Sequence, residues 1–363
     1  MTLVQLNFFE KSMSQRNPLI DIARGLGIIL VVFGHNWIIA HEHGVLFRLV
    51  FSFHMPLFFF LSGLFLNETE SVGRFIKLRA DTLLKPFFVV LMVWGLARLV
   101  IAKIAVLPYF FGVLYATGHT IEWVPLWFLP HLFLSLLMVL FILKLSSTSL
   151  YMRPVRLFLC LTSLLLGWWC MTRLAGLDWQ NISYLYPLVN DYSESFPGLP
   201  WSIDVIGISS AYILAGFLAK EAVAAFRLRW MFLFATFVIF ALFQWQFQQA
   251  MDLHMRYYGN PAISSIEAGL GIYLSLGLAA FLQRFVSIAK VLALLGKSSL
   301  FILLFHSWIE WKVYGILQIR LHQNYAAALF ALFAGIFLPV GILWIVQRSP
   351  WLSVCLLSTG SRK

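Results

Sequence analysis

An arginine and a histidine lie within one apolar stretch that is long enough to cross a membrane. The stretch reads ARGLGIILVVFGH and contains Arg24 and His35, which are 11 residues apart. In an α-helix this spacing is about three turns, so both side chains face the same side, roughly 16 Å apart along the axis. Ionisable side chains inside membrane helices are costly and mark functional sites. We therefore interpret this pair as the centre of a functional site.

The two residue types suit a group transfer from a phosphate-bearing donor. Arginine binds phosphate and pyrophosphate through paired hydrogen bonds. Histidine titrates near neutral pH, so it can take a proton from a hydroxyl or carry a transient acyl group. Together they fit acyl transfer from a phosphate-bearing thioester to an alcohol. The alternative for Arg24 is an anchor whose side chain reaches the lipid interface, and Asp21 can pair with it.

Other ionisable residues fall in or beside the remaining apolar stretches. They are His54, His131, His306, Glu122, Asp204 and Glu310. The connector after His35 is short, so we expect the first two spans to be adjacent and antiparallel, with His35 and His54 in neighbouring layers. Single histidines in apolar helices are often hydrogen-bonded packing residues. We assign that role to His131 more readily than to His35.

The composition places the chain among integral membrane proteins. Its 363 residues are 61% hydrophobic and 11% charged, whereas soluble domains average about 45–50% apolar and about 25% charged residues. Ten stretches have the length and apolar character of a span. They are 18–40, 45–66, 84–106, 124–143, 155–174, 202–220, 230–249, 262–283, 298–317 and 325–347. We predict an all-α, polytopic helix bundle that forms a single domain over 1–363, with 1–17 as a short cytoplasmic N-terminal segment.

The distribution of basic residues predicts the orientation. Most of the 26 lysines and arginines lie in connectors that are cytoplasmic if both termini are inside, as the positive-inside rule requires. We interpret the net charge of +11 as this topology signal. The expected partner is therefore a lipid bilayer and not a nucleic acid.

Several familiar motifs are absent or incomplete. Cys160, Cys170 and Cys355 form no CxxC pair, which argues against a disulfide framework and a structural zinc. The sequence LLGKSS lacks the first glycine of a phosphate-binding loop. The HEH at 41–43 has no specific metal-ligand spacing. We expect no metal site.

The longest predicted outer connector is rich in aromatic and polar residues. It covers 175–201 and reads AGLDWQNISYLYPLVNDYSESFPGLPW. Aromatic rings beside carboxylates and amides suit the apolar face and hydroxyl edge of a sugar. An aromatic belt at the membrane interface explains the same composition, and both interpretations stay open.

The sequence resembles the membrane acyltransferase family 3. Within that family it is similar to the sugar O-acetylase-like branch, which includes exopolysaccharide acetyltransferases such as those acting on xanthan. The strongest blocks are PLIDIARGLGIILVVFGH, FSFHMPLFFFLSGLFL and RADTLLKPFF, within 18–90. The family's signature of an arginine, ten residues and a histidine falls on Arg24 and His35. Weaker landmarks are PLWFLPHLF, LPWSIDVIGISSAYILAGFLAKE, YGNP and LGKSSLFILLFH.

The resemblance implies an enzyme of the bacterial inner membrane. It implies that cytoplasmic acetyl-CoA is the acyl donor and that the acceptor is a sugar hydroxyl of an exported or cell-surface polysaccharide or its lipid-linked precursor. The implied catalytic residues are His35, Arg24 and His54; the implied donor-binding residues are Arg24, Arg79, Lys85 and Ser62, and Gly63 shapes the same pocket. For Arg79 and Lys85, inside-positive anchoring is the alternative. Because the extracytoplasmic domain that some members append is not in this sequence, we expect the outer loops to recognise the acceptor.

Two other functions stay open at this point. The first is a transporter or proton-coupled permease with Arg24, His35, His54 and Glu310 as a relay, since intramembrane ionisable residues also mark such pathways. The sequence shows no inverted repeat of the kind found in many transporters, which counts against it. The second is a membrane acyltransferase with an amine or lipid acceptor.

Overall fold

A computed structural model describes residues 17–42, 44–102, 106–147, 151–177 and 196–361. Within these ranges the chain is helical apart from short connectors and one small hairpin. The helices of the first half are α1 (Pro18–His35), α2 (Trp37–Glu42), α3 (Val45–Phe51), α4 (His54–Gly63), α5 (Val72–Arg79), α6 (Lys85–Ala102), α7 (Val106–Tyr115), α8 (Phe128–Ser146) and α9 (Met152–Ala175). A π-helical turn (Ala80–Leu84) joins α5 to α6, and a 3-10 turn (Val124–Trp127) precedes α8.

The second half continues with helices on both sides of the hairpin. It comprises a 3-10 segment (Pro200–Val205), α10 (Ile206–Leu218), α11 (Lys220–Ala224), α12 (Trp230–Phe247), strands β1 (Met251–Asp252) and β2 (Tyr257–Tyr258), α13 (Pro261–Leu282), α14 (Val286–Lys297), α15 (Ser299–Leu321), α16 (Asn324–Arg348), α17 (Pro350–Leu356) and a final 3-10 turn (Thr359–Ser361). β1 and β2 pair antiparallel, with Met251 opposite Tyr258.

Ten segments of the described chain are long and apolar enough to cross a membrane. They are Pro18–His35, Val45–Gly63, Val72–Ile101, Val124–Ser146, Met152–Ala175, Pro200–Leu218, Trp230–Phe247, Pro261–Leu282, Ser299–Leu321 and Asn324–Arg348. Each corresponds to one predicted stretch, so the predicted all-α, polytopic bundle is confirmed. The cytoplasmic placement of both termini stays a prediction.

The first span is a helix with a clear beginning. Asn17 caps α1 by accepting a hydrogen bond from the Leu19 N–H (3.0 Å). Pro18 occupies the first turn, where its missing N–H costs nothing. α1 ends at His35, and Asn36 adopts an extended conformation. Arg24 therefore lies in the first half of the helix and His35 at its last residue.

The second span is broken, which the sequence analysis did not predict. α3 ends at Phe51 and α4 begins at His54. Pro56 lies in the first turn of α4 and has no N–H to bond the carbonyl four residues earlier, so a continuous helix would lose a hydrogen bond there. Within the break, Ser52 donates its hydroxyl to the Leu49 carbonyl (2.9 Å). The break places His54 at the first residue of α4.

α1 lies among other helices, which keeps its polar residues away from lipid. It packs against α4, α13, α14, α15 and α16. The contact with α14 is backbone to backbone: a Cβ at Gly25 would overlap the Leu292 carbonyl, and a Cβ at Gly296 would overlap the Asp21 carbonyl. α4 packs on α10 in the same way, with Gly63 against the Ile213 carbonyl and Gly216 against the Phe60 carbonyl. These contacts fix the two helices that carry the predicted site.

The aromatic connector proposed to bind sugar lies mostly outside the described residues. Of 175–201, the structure describes 175–177 and 196–201. Both interpretations of that connector stay predictions. The short N-terminal segment 1–17 is described only at Asn17.

Candidate functional site

A single cavity of about 1090 Å³ contains both Arg24 and His35 in its wall. α1 lies antiparallel to the broken second span, α3 and α4: a Cβ at Gly34 would touch Phe51 of α3, and a Cβ at Gly27 would touch Phe58 of α4. Since Arg24 and His35 are separated by roughly 16 Å along α1, they lie towards opposite ends. We call these the arginine end and the histidine end.

The arginine end carries three cationic side chains. Arg24, Arg79 and Lys220 all line the cavity, with Asn17, Asp21, Ser62 and Thr82 also in the wall. The Arg24 guanidinium lies 5.1 Å from the centre of the Phe65 ring, and Lys220 donates to the Leu66 carbonyl (3.2 Å). Clustered guanidinium and ammonium groups bind phosphate oxygens strongly. This end can therefore hold a polyanion.

The histidine end carries two imidazoles whose hydrogen bonds select the same tautomer. His35 Nδ1 lies 2.8 Å from the Val31 carbonyl, and His54 Nδ1 lies 2.9 Å from the Val50 carbonyl. A carbonyl only accepts, so in both rings Nδ1 donates and Nε2 is left with its lone pair. Both histidines line the cavity. The Phe51 ring is near both of them, with its centre 6.3 Å from that of His35 and 4.6 Å from that of His54.

Two buried polar residues of α15, His306 and Glu310, lie near the end of α1. The His306 ring stands edge-on to His35 at 5.4 Å, and its Nδ1 lies 2.9 Å from the Ile302 carbonyl. Glu310 accepts a hydrogen bond from the Asn36 amide (3.1 Å). Neither His306 nor Glu310 is among the cavity-lining residues. Of the four residues proposed as a transport relay, Arg24, His35 and His54 line the cavity and Glu310 does not.

The other polar residues found in the sequence have structural partners elsewhere. His131 is fully buried between α8 and α10, where Ser209 Oγ lies 2.9 Å from its Nε2 and the Trp201 carbonyl 3.3 Å from its Nδ1. This is the packing role favoured for it from the sequence. Glu122 accepts hydrogen bonds from Trp94 (2.7 Å) and Arg98 (3.2 Å).

The structure does not bring Lys85 to the cavity. Its ammonium group donates to Asp81 and to the Leu357 carbonyl, each at 2.5 Å. Asp81 also accepts from the backbone N–H and hydroxyl of Thr359, both at 2.6 Å. Lys85 thus holds the C-terminal segment against the start of α6, and donor binding by Lys85 stays a prediction. Of the other predicted residues, Arg24, His35, His54, Ser62 and Arg79 line one cavity. Gly63, which the resemblance placed at the same pocket, is not in its wall and packs against the Ile213 carbonyl.

Sequence reasoning missed three ionisable residues of the cavity. Lys220 was counted only as a topology signal, and Asp252 and His254 lie in a connector that drew no attention. The available signal was an aspartate and a histidine two positions apart in AMDLHMRYYGN, between two spans.

Burial sets the protonation of this connector. It raises the pKa of Asp252 and lowers that of His254 well below its usual value. The ring of His254 lies 4.5 Å from that of His119, whose pKa is lowered to about 4 by burial and then by the charge of Arg256. Both imidazoles are therefore neutral at pH 7.

Comparison with known proteins gives one match. A family model described as an acyltransferase domain matches residues 17–346, a range that includes every cavity-lining residue. No curated protein matches the chain. No solved structure matches it. The match does not favour the transporter interpretation. Because it covers most of the chain, the protein belongs to acyltransferase family 3 and is a multi-pass membrane acyltransferase.

Proposed function

We propose that the protein is an O-acetyltransferase of the bacterial inner membrane. It moves an acetyl group from cytoplasmic acetyl-CoA to a sugar hydroxyl of an exported or cell-surface polysaccharide, or of its lipid-linked precursor. The observation that carries this proposal is the single cavity that joins a cationic end to a pair of histidines in a chain of the acyltransferase family.

The length of the cavity wall supports a coenzyme A thioester as donor. Arg24 and His35 are roughly 16 Å apart along α1. The arm of coenzyme A from its pyrophosphate to its sulfur has about thirteen bonds, and an extended chain of that length spans roughly 16 Å at the rise of an extended peptide. A pyrophosphate held at the arginine end would thus place the thioester beside His35.

The charges of the cavity support the same orientation. Arg24, Arg79 and Lys220 line the arginine end and provide cations for the phosphates of the donor. Ser62 lies in the same wall, where its hydroxyl donates to the Phe58 carbonyl (2.8 Å) and its oxygen is left as an acceptor. The uncharged thioester and sugar then lie among His35, His54 and Phe51.

His35 acts as the general base. The bond from its Nδ1–H to the Val31 carbonyl leaves Nε2 free to take the proton of the sugar hydroxyl. The hydroxyl oxygen forms a bond to the acetyl carbon, and the bond between that carbon and sulfur breaks. The protonated His35 returns its proton to the thiolate, so coenzyme A leaves as the free thiol. His54, with the same protonation pattern, lies beside the reacting groups.

Replacement of His35 tests the proposal. In a deletion strain complemented with His35→Ala, we expect glycan acetylation, measured by mass spectrometry of surface glycans, to be lost while the protein level in the membrane is unchanged. His41→Ala is the matched control, because His41 is exposed and does not line the cavity. Normal acetylation by well-expressed His35→Ala would contradict the proposal. Solute uptake by the reconstituted protein without acetyl transfer would favour a transporter instead.

A further inference from the structure

The hairpin β1–β2 forms part of the histidine end of the cavity. It connects α12 to α13, and its residues from Met251 to Met255 are all in the cavity wall. Ala250, just before it, packs in one cluster with Val50 and Phe51. The Phe51 ring is near both His35 and His54. The hairpin therefore lies next to the two histidines.

Buried polar contacts hold the hairpin in one conformation. Arg256, in its turn, forms a two-point ion pair with Asp204 (Nε to Oδ2 2.8 Å, Nη2 to Oδ1 3.2 Å) and also donates to Ser202 (3.1 Å). At the end of β2, the hydroxyl of Tyr258 lies 2.7 Å from that of Tyr212. Arg256 has a φ of +56°, which is uncommon outside glycine.

This construction is costly for a connector. A buried ion pair contributes little net stability because of its desolvation cost. Strained backbone persists where the surroundings over-determine it, and such positions cluster at functional sites. We take both features as signs that the position of the hairpin matters for function.

The carboxylate of Asp252 is held by one of its two oxygens. Oδ1 accepts the backbone N–H groups of His254 (3.0 Å) and Met255 (3.1 Å). Oδ2 has no hydrogen bond to the described part of the chain. Asp252 and His35 line the same cavity. One oxygen thus fixes the side chain, and the other is left for a ligand beside His35.

We propose that Asp252 binds the acceptor by accepting a hydrogen bond from a hydroxyl next to the one that is acetylated. The acceptor is then a sugar or another polyol with neighbouring hydroxyls. This inference rests on the proposed function, because His35 defines where the reacting hydroxyl lies. Trp127 also lines the cavity, with its ring 6.4 Å from that of His254, and offers a flat apolar surface to the C–H face of a sugar.

The role of Asp252 is distinct from that of His35. The proton of the reacting hydroxyl goes to His35 Nε2 and then to the sulfur of coenzyme A, while the new ester bond replaces the bond to sulfur. Asp252 neither gains nor loses a proton in this sequence. An acceptor without the neighbouring hydroxyl leaves Oδ2 of Asp252 without a hydrogen-bond donor. Sites built to bind a hydroxyl discriminate strongly against analogues that lack it.

The variant Asp252→Asn isolates this contact. Asparagine keeps Oδ1 for the two backbone N–H groups and replaces Oδ2 by an NH₂ group. The assay uses purified full-length protein in nanodiscs with acetyl-CoA as donor. The methyl glycosides of glucose, mannose and galactose are tested as acceptors, and the best of them is then compared with its monodeoxy analogues. Glu122→Gln is the matched control, a carboxylate outside the cavity wall.

We expect loss of the neighbouring hydroxyl to lower kcat/KM at least ~10-fold for the wild type and Glu122→Gln, and less than ~2-fold for Asp252→Asn. Binding of acetyl-CoA should be equal in all three. If Asp252→Asn fails to bind acetyl-CoA, Asp252→Ser, which keeps an oxygen for the His254 N–H, is judged by the same criterion. If removal of the neighbouring hydroxyl lowers kcat/KM as much for the variant as for the wild type, the inference about Asp252 is overturned and the proposed function is not affected. A wild type that binds acetyl-CoA and acetylates none of the glycosides overturns the proposed function as well.

Discussion

The substitution Arg24→Met tests whether the arginine end binds the phosphates of the donor. Methionine keeps an unbranched apolar chain that suits a helix and removes the guanidinium. Hydrogen bonds to charged groups contribute about 1.5–3 kcal/mol, which corresponds to about 10–150-fold in binding. Arg79 and Lys220 line the same end and retain part of the interaction. We therefore expect kcat/KM for acetyl-CoA to fall about 10–30-fold.

The assay compares two donors on the same variants. Acetyl-CoA carries the phosphates, whereas acetyl-pantetheine has the same thioester and no phosphate. Release of free thiol in the presence of acceptor gives kcat/KM for each donor. The preference for acetyl-CoA should fall with Arg24→Met, while kcat/KM for acetyl-pantetheine stays within about two-fold, since that donor has no group for Arg24 to bind.

A control separates this local effect from the general positive charge of the surface. Arg74→Met removes a cation whose side chain is 76% exposed, pairs with Glu70 and lies outside the cavity wall. We expect its donor preference to equal that of the wild type, because exposed charges are screened. If Arg24→Met lowers kcat/KM equally for both donors, Arg24 does not bind the phosphates, and the assignment of the arginine end is wrong.

Three further predictions follow from the packing and charges. Gly63→Ala should lower the thermal midpoint and the activity together, because a Cβ there overlaps the Ile213 carbonyl and overpacking costs about 1–3 kcal/mol; an unchanged melting curve would contradict the close contact of α4 and α10. Lys85→Met should leave KM for acetyl-CoA within about two-fold and speed proteolysis of the C-terminal segment, since Lys85 donates to Asp81 and Leu357; a large rise in KM would return Lys85 to the donor site. Stability should fall as the pH drops from 6.5 to about 4. The unfolded chain binds a proton at His119 near pH 6.5, whereas burial and then the charge of Arg256 lower the folded pKa of His119 to about 4, so acid favours the unfolded chain. His119→Gln should reduce this loss of stability in melting curves, and equal acid sensitivity of the two proteins would refute the prediction.

The helices and the main pair of residues were predictable because they rest on local rules. Apolar length alone defines the ten spans, and helical periodicity places Arg24 and His35 on one face. The break between α3 and α4 was missed, because Pro56 lies in an otherwise continuous apolar stretch and the length criterion ignores it. The structure shows that this break places His54 at a helix N-terminus facing the cavity.

The remaining part of the site depends on contacts between distant segments. Asp252 and His254 reach the cavity in a hairpin whose Arg256 pairs with Asp204 before α10, and no periodicity in the sequence predicts that pairing. Lys220 and Lys85 show the same difficulty. Both are basic residues at predicted helix ends, yet one lines the cavity and the other holds the C-terminal segment. Composition cannot distinguish them, because the difference lies in which neighbouring segment each one meets.

The most direct test of a donor and an acceptor meeting in one membrane cavity is a sidedness measurement. Proteoliposomes with the protein in one orientation receive acetyl-CoA on the side of the arginine end and a glycoside acceptor only on the side of the histidine end. We predict acetylated glycoside on the side opposite the acetyl-CoA, and none with His35→Ala. Acetylation that occurs only when both substrates are on the same side would contradict a cavity that connects the two faces.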